Sequence, residues 1–176
     1  MNVSFLGRLG LVPLGISAWI GMASMARGAA APPNDNFANA SVIAGFWGTT
    51  NADTTAATAE PGEPAHAGSP AAHSVWYKLV AIQDGTMTVH TFGSTAGTRL
   101  AVYTVAANTN ASVSAPLFPV AADVNTDFSQ FFGPGPVTPS AVKFPVKQGG
   151  AYYVAVDSAG AAGPIQLTWG YNFGGL

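Results

Sequence analysis

Two carboxylates, Glu60 and Glu63, bracket Pro61-Gly62 within Ala57-Thr-Ala-Glu-Pro-Gly-Glu-Pro-Ala-His-Ala-Gly68, in a chain that is only 8% charged. Proline followed by glycine suits the two central positions of a type II turn, because proline fixes φ and glycine accepts positive φ. Such a turn brings both carboxylates toward one point, where they repel unless a cation or donor groups stand between them. A hard, oxygen-seeking ion such as Ca²⁺ suits that arrangement. The alternative is that both glutamates are solvated or accept hydrogen bonds from nearby backbone N–H groups. An isolated E-x-x-E is a weak signal for a metal, so this second reading is the expected one.

The bases available for catalysis are His66, His73 and His90. His66 falls in the turn-rich loop, His73 just before a strand and His90 on a polar strand face; solvated loop positions are expected for His66 and His73. A covalent mechanism needs a nucleophile, a base and an orienting group in contact. No G-x-S-x-G elbow is present, and Ser158 in Asp157-Ser-Ala-Gly160 reads as a turn former. His66 and His73 lack the third ligand of a zinc pattern. A protein without enzymatic activity is expected. An aromatic platform for glycans could come from Trp47, Tyr103, Tyr153 or Tyr171, each of which also suits the core or face of a sheet.

Around these residues the chain reads as all-β. Ser74-Val-Trp-Tyr-Lys-Leu-Val80 is β-branched and aromatic and bounded by breakers, a strand whose Trp76 fills the core with Val75 and Tyr77 on the opposite face. Val42–Trp47 reads as a first strand, and Asn51–Thr58 as a connection or weak edge strand. Thr86–Phe92 alternates with period two, placing Met87, Val89 and Thr91 on one face. Gln83-Asp84-Gly85 signals a hairpin turn. Leu117–Ala121 is confined to an edge by Pro116 and Pro119. Ala141–Val146 and Ala151–Asp157 read as a hairpin around Gln148-Gly149-Gly150. Ile165, Leu167 and Trp169 alternate inward on the last strand. The expectation is an antiparallel, jelly-roll-like β-sandwich of about eight strands.

Asp123–Pro139 is the least regular stretch, rich in Gly and Pro yet carrying Phe128, Phe131 and Phe132. These phenylalanines either fold back as a lid over one end of the sandwich or stay exposed as an interaction patch. The second reading gains from a surface so poor in charge, since about a quarter of residues are charged in ordinary globular chains.

Residues 1–30 read as a cleavable signal peptide. Arg8 closes a short n-region, Leu9–Ala26 is apolar, and Gly28-Ala29-Ala30 offers a small-residue exit before Ala31. A retained anchor competes, since the run approaches spanning length; the glycines and Pro13 within it favour removal. Residues 31–176 then form one domain. They hold four basic against eight acidic residues, a net charge of −4. No basic stripe exists for nucleic acid, and none is expected as a partner. With no cysteine, an exported domain must be held by its core rather than by disulfides. No contact with membrane is expected after cleavage.

Asn34-Asp-Asn-Phe-Ala-Asn-Ala40, the loop 57–68, Ser74-Val-Trp-Tyr77, Gly85-Thr-Met-Thr-Val89, Leu100-Ala-Val-Tyr-Thr104 and Gly150-Ala-Tyr-Tyr-Val-Ala-Val-Asp157 span nearly all of residues 31–176 in order. Together they resemble the bacterial pre-peptidase C-terminal domain family and its relatives. The resemblance implies a jelly-roll-like sandwich on secreted or cell-surface bacterial proteins, a non-catalytic accessory to peptidases or other enzymes, with Ca²⁺ bound by some members. Members often carry an Asp where this chain has Ala96-Gly97-Thr98, and an Asn-Asp-Asp turn where it has Ala122-Asp123-Val124. Asp35, Glu60 and Glu63 remain as the calcium candidates.

The functional expectation is a secreted, non-catalytic module that binds or adheres to an extracellular protein or polysaccharide, with Ca²⁺ as its one candidate cofactor. The alternatives are a self-assembling subunit of the cell surface or of a filament, and an accessory acting in trans with a secreted hydrolase.

Overall fold

The computed structural model describes Met1 and residues 29–106, 112–113, 115–124 and 139–172. Residues 2–28 of the expected leader, and Phe128, Phe131 and Phe132, lie outside the described residues. Among the described residues nine strands follow one another: β1 Ser41–Ile43, β2 Trp47–Asp53, β3 Val75–Val80, β4 Gly85–His90, β5 Thr98–Val105, β6 Leu117–Val124, β7 Ala141–Val146, β8 Ala151–Ser158 and β9 Pro164–Asn172. They form two sheets, one in the order β1-β3-β8-β5-β6 and one in the order β2-β9-β4-β7. The chain is therefore a β-sandwich. All pairs are antiparallel except β1 with β3, which is parallel.

Alternation places the core as the sequence leads one to expect. Met87 and Val89, Val142, Phe144 and Val146, and Ile165, Leu167, Trp169 and Tyr171 point inward from the four-stranded sheet. Val75, Tyr77, Leu79, Leu100, Val102, Val154 and Val156 meet them from the five-stranded sheet. Pro119 sits on the edge strand β6, where the register slips between Val102 and Tyr103, so its missing N–H disturbs no interior ladder.

Three local readings change. The first strand is split: Ala44-Gly45-Phe46 interrupts it, and the chain leaves β1 in one sheet to begin β2 in the other. Residues 51–53, read as a connection or weak edge, complete β2. Trp76 is fully buried, but Val75 and Tyr77 are the residues that face the space between the sheets. Trp76 lies on the outer side of the five-stranded sheet, in a second cluster with Phe37, Ala101, Tyr103, Tyr153 and Ala155. Ala155 and Ala101 follow it across β8 and β5 in register, and their small side chains leave room for the indole.

The two turns read as hairpins, at 83–85 and 148–150, connect strands that do not pair. Each carries the chain from one sheet to the other. Among the described strands, β5 and β6 are the only consecutive pair joined edge to edge.

Candidate functional site: a locked loop over one sheet and an open face on the other

Residues 57–74 cover the outer side of the five-stranded sheet. The predicted turn is there: the Glu63 N–H donates to the Glu60 carbonyl at 3.1 Å, with Gly62 at φ +89°. A second tight turn follows at Ala67-Gly68, both at positive φ, closed by reciprocal His66–Ser69 backbone bonds of 2.8 and 3.0 Å. Two positive-φ residues in succession are the geometry of a two-residue hairpin turn. Between them these turns deliver Glu63 and His66 onto Trp76.

Glu63 is the centre of the lock. Its side chain is 1% exposed and that of His66 0%. Its Oε1 accepts from Ser74 Oγ at 2.5 Å, His66 Nε2 at 2.9 Å and Trp76 Nε1 at 3.1 Å. Its Oε2 accepts from the Glu60 N–H at 2.8 Å. The Tyr103 hydroxyl donates to the Ala65 carbonyl at 3.0 Å and so accepts from His66 Nδ1 at 2.9 Å. Burial alone raises the Glu63 pKa; the hydrogen bonds from His66, Ser74 and the Glu60 N–H, with the His66 charge, outweigh it and hold the carboxyl below its ordinary value. Burial, then the charges of Glu63 and Asp157, push the Tyr103 hydroxyl up to about 12.

The other carboxylates of the loop region are used in the same way. Glu60 Oε2 accepts the Phe37 N–H at 2.5 Å. Asp35 accepts the Thr58 N–H at 2.6 Å and the Thr58 hydroxyl at 2.9 Å. Glu60 and Glu63 share a turn, yet each is satisfied by protein donors, and Asp35 is occupied at Thr58. Among the described residues no three of His, Asp and Glu gather so as to hold a metal ion. Ca²⁺ wants six to eight oxygens, and this set does not fit it. Exchanging EGTA for millimolar Ca²⁺ is therefore expected to leave the melting temperature unmoved. Specific binding at a hundredfold excess over Kd would add about 2.7 kcal/mol, a rise of roughly 5–10 °C in differential scanning calorimetry.

Sequence reasoning missed the loop's second anchor. Asp157 is buried and its Oδ1 accepts from the His73 and Ser158 N–H groups at 2.8 and 2.7 Å. Arg99 stands 3.5 Å from Asp157 Oδ2 and donates to the Pro70 and Ser158 carbonyls. Ser158, read as a turn residue, is the buried last residue of β8 and bonds Thr54 at 3.1 Å. No local sequence pattern connects Arg99 or Asp157 to the loop they hold, because the partners are 29 to 84 residues apart.

The three histidines have different surroundings. His66, read as a solvated loop residue, is buried. His73 Nδ1 donates to the Ala57 carbonyl at 2.7 Å, and His90 packs on Phe92 with ring centroids 4.4 Å apart. Burial holds the His90 pKa below the ordinary value. A cleft of about 380 Å³ opens between β1 and β2, lined by Pro32, Asn34, Ser41, Thr50, Asp53 and Tyr77 among others, and none of the three histidines lines it.

No family model matches the chain, and no curated protein matches it. Among solved structures it is similar to the pre-peptidase C-terminal domain of a collagenase from Bacillus anthracis, with 13% identity over 74% of this chain and 93% of that one, at a TM-score of 0.42. The likeness is to a pre-peptidase C-terminal domain. The chain is also similar to CorA, a surface-associated copper-binding protein of Methylomicrobium album BG8, with 9% identity over 76% and 98% of the two chains at a TM-score of 0.47. The sequence motifs that resemble pre-peptidase C-terminal domains are largely the pieces of the lock. Asn34 donates to the Trp76 carbonyl at 3.0 Å, Phe37 packs edge-on against Trp76 at 5.0 Å, and Glu63, His66 and Ser74 surround the same indole.

The outer side of the four-stranded sheet is the reverse case. Strict alternation turns Trp47, Thr49 and Asn51 of β2, Gln166, Thr168 and Gly170 of β9, Thr86, Thr88 and His90 of β4, and Lys143 of β7 outward. Of the four aromatics considered as a glycan platform, Tyr103, Tyr153 and Tyr171 are buried, whereas Trp47 is 81% exposed.

Proposed function

We propose that this chain is a non-catalytic, extracellular binding module whose contact surface is the bare face of the four-stranded sheet. The observation that carries the reading is the asymmetry of the sandwich. One outer face is sealed by a hydrogen-bonded loop, and the other presents an indole that the fold does not bury. Exposing a tryptophan to this extent forgoes a large apolar gain, and large exposed apolar surface marks interaction sites. The buried Glu63–His66–Ser74 cluster supports a structural rather than a catalytic role, since no substrate reaches it. No helix among the described residues is long and apolar enough to cross a membrane.

The test is capture of the purified, labelled domain by intact bacterial envelopes and extracellular matrix. Saturable binding that Trp47→Ala abolishes, with an unchanged melting temperature, is expected. Binding that Trp47→Ala leaves intact overturns this assignment of the surface. A second reading, a self-assembling subunit, is favoured by Val42 and Trp47, 74% and 81% exposed on the edge strands of the two sheets. Concentration-dependent mass by light scattering would mark it, because exposed edges template pairing.

A further inference from the structure

We infer that the bare sheet face binds a neutral polysaccharide, with one sugar ring seated on Gly170 against the face of Trp47. This rests on the binding-module reading and names its ligand class. Trp47 stands directly opposite Gly170 on β9, and Gly170 is opposite Thr88 on β4. Two strand spacings separate Trp47 from Thr88, about 10 Å, and the residue between them in the row is Gly170.

Gly170 is not demanded by packing. A Cβ there would meet Trp47 Cβ at 3.9 Å and the Phe46 carbonyl at 4.0 Å, ordinary contacts. Gly48 on the neighbouring strand is the contrast: a Cβ there would lie 2.3 Å from the Trp169 ring, so its absence is required by the core. The missing side chain at 170 instead keeps the floor beside the indole open. The slot is held in place by its surroundings. The Tyr171 N–H donates to the Phe46 carbonyl at 2.8 Å, and the Phe46 ring meets Tyr171 edge-on at 5.8 Å.

The walls are hydroxyls and amides already fixed in pairs. Thr49 and Thr168 bond at 2.9 Å, and Asn172 donates to Thr88. A hydroxyl both donates and accepts, which matches sugar hydroxyls. The C–H face of a pyranose matches the apolar face of an indole. Charge selects the class further. The charged residues on this face are few: Lys143 stands opposite Thr88 in the same row, on the edge strand β7 beyond the slot, and Asp53 at the far end of β2. A face with so little charge complements a neutral polymer rather than an anionic one or a charged protein surface.

Native gels cast with hydroxyethyl cellulose, laminarin, galactomannan or glycol chitin, and with anionic alginate as control, provide the test. Retardation by at least one neutral polymer and none by alginate is expected. Trp47→Ala and Gly170→Thr are each expected to weaken that retardation tenfold or more. Both variants should melt as the wild type does, since one side chain is exposed and the other has room. Retardation by no neutral polymer, or full retardation of Gly170→Thr, overturns the inference. If Trp47→Ala abolishes envelope capture while no polysaccharide retards the domain, and protease treatment of the envelopes removes capture, the partner is protein. The glycan assignment then fails while the binding-module reading stands. If neither envelopes nor polysaccharides bind, both fail.

Discussion

Glu63→Ala is expected to destabilise the domain by about 3–5 kcal/mol, the usual cost of removing one partner from a buried charged network. The deletion strands four donors at once: His66 Nε2, Ser74 Oγ, Trp76 Nε1 and the Glu60 N–H. Chemical denaturation measures the loss, and limited proteolysis locates it. Cleavage should concentrate in the loop 57–74 before the sheets open, because the loop's backbone is tied down mainly by side chains. The same carboxyl sets an acid limit. Its folded pKa lies below the unfolded value near 4.5, so its contribution is present above that pH and disappears as pH falls through the lowered folded value. Glu63→Gln should flatten stability against pH in that acid window. An unchanged acid profile in Glu63→Gln would show that the network is not what holds the loop.

Trp76→Ala is expected to cost a similar 3–5 kcal/mol. Its indole is fully buried and shares ring contacts with Phe37, His66 and Tyr103 at centroid distances of 5.0, 5.4 and 5.9 Å. Removing it empties the centre of the second cluster rather than the space between the sheets. The inter-sheet core should therefore survive while the segment from Asn34 to Asn39 and the loop lose their seat. Fluorescence separates the two populations of tryptophan: the variant loses a buried emitter and leaves the exposed Trp47 more prominent, a red shift in the native spectrum. Because Trp76 Nε1 donates to Glu63, the two substitutions share partners. The double variant should lose less than the sum of the single losses. Additive losses would mean that loop and indole are held separately.

Neither substitution touches the open face. The lock stabilises one side of the sandwich, and the proposed binding surface is the other side. A variant defective in the lock should still bind through Trp47 for as long as it is folded, whereas Trp47→Ala should fold normally and fail to bind.

The sequence by itself determined most of the strands and their inward faces. The period-two runs at 86–90 and 165–171 and the β-branched runs of β3 and β8 needed no partner to be read, because side-chain direction in a strand is a local property. The Pro61-Gly62 turn was local in the same sense. What only the tertiary structure decided is which strand lies beside which. The chain switches sheets at nearly every connection, so Asp84-Gly85 and Gly149-Gly150, the turn signals of a hairpin, carry it between layers instead. A turn motif reports that the chain reverses, not whether the returning strand accepts hydrogen bonds from its predecessor or faces it across the core.

The candidate sites divided along the same line. That Glu60 and Glu63 share a turn was legible, but what fills the space between them was not. The donors come from Phe37, His66, Ser74 and Trp76, brought in by separate elements, and those contacts decide between a cation cage and a structural lock. Trp76 was legible as buried, but not on which side, because both faces of the five-stranded sheet are covered and alternation cannot rank two apolar environments. Trp47 carried the opposite ambiguity: as a residue type it belongs in a core. Only the pairing of β2 at a sheet edge, with its alternate residues turned to solvent beside Gly170, leaves it exposed.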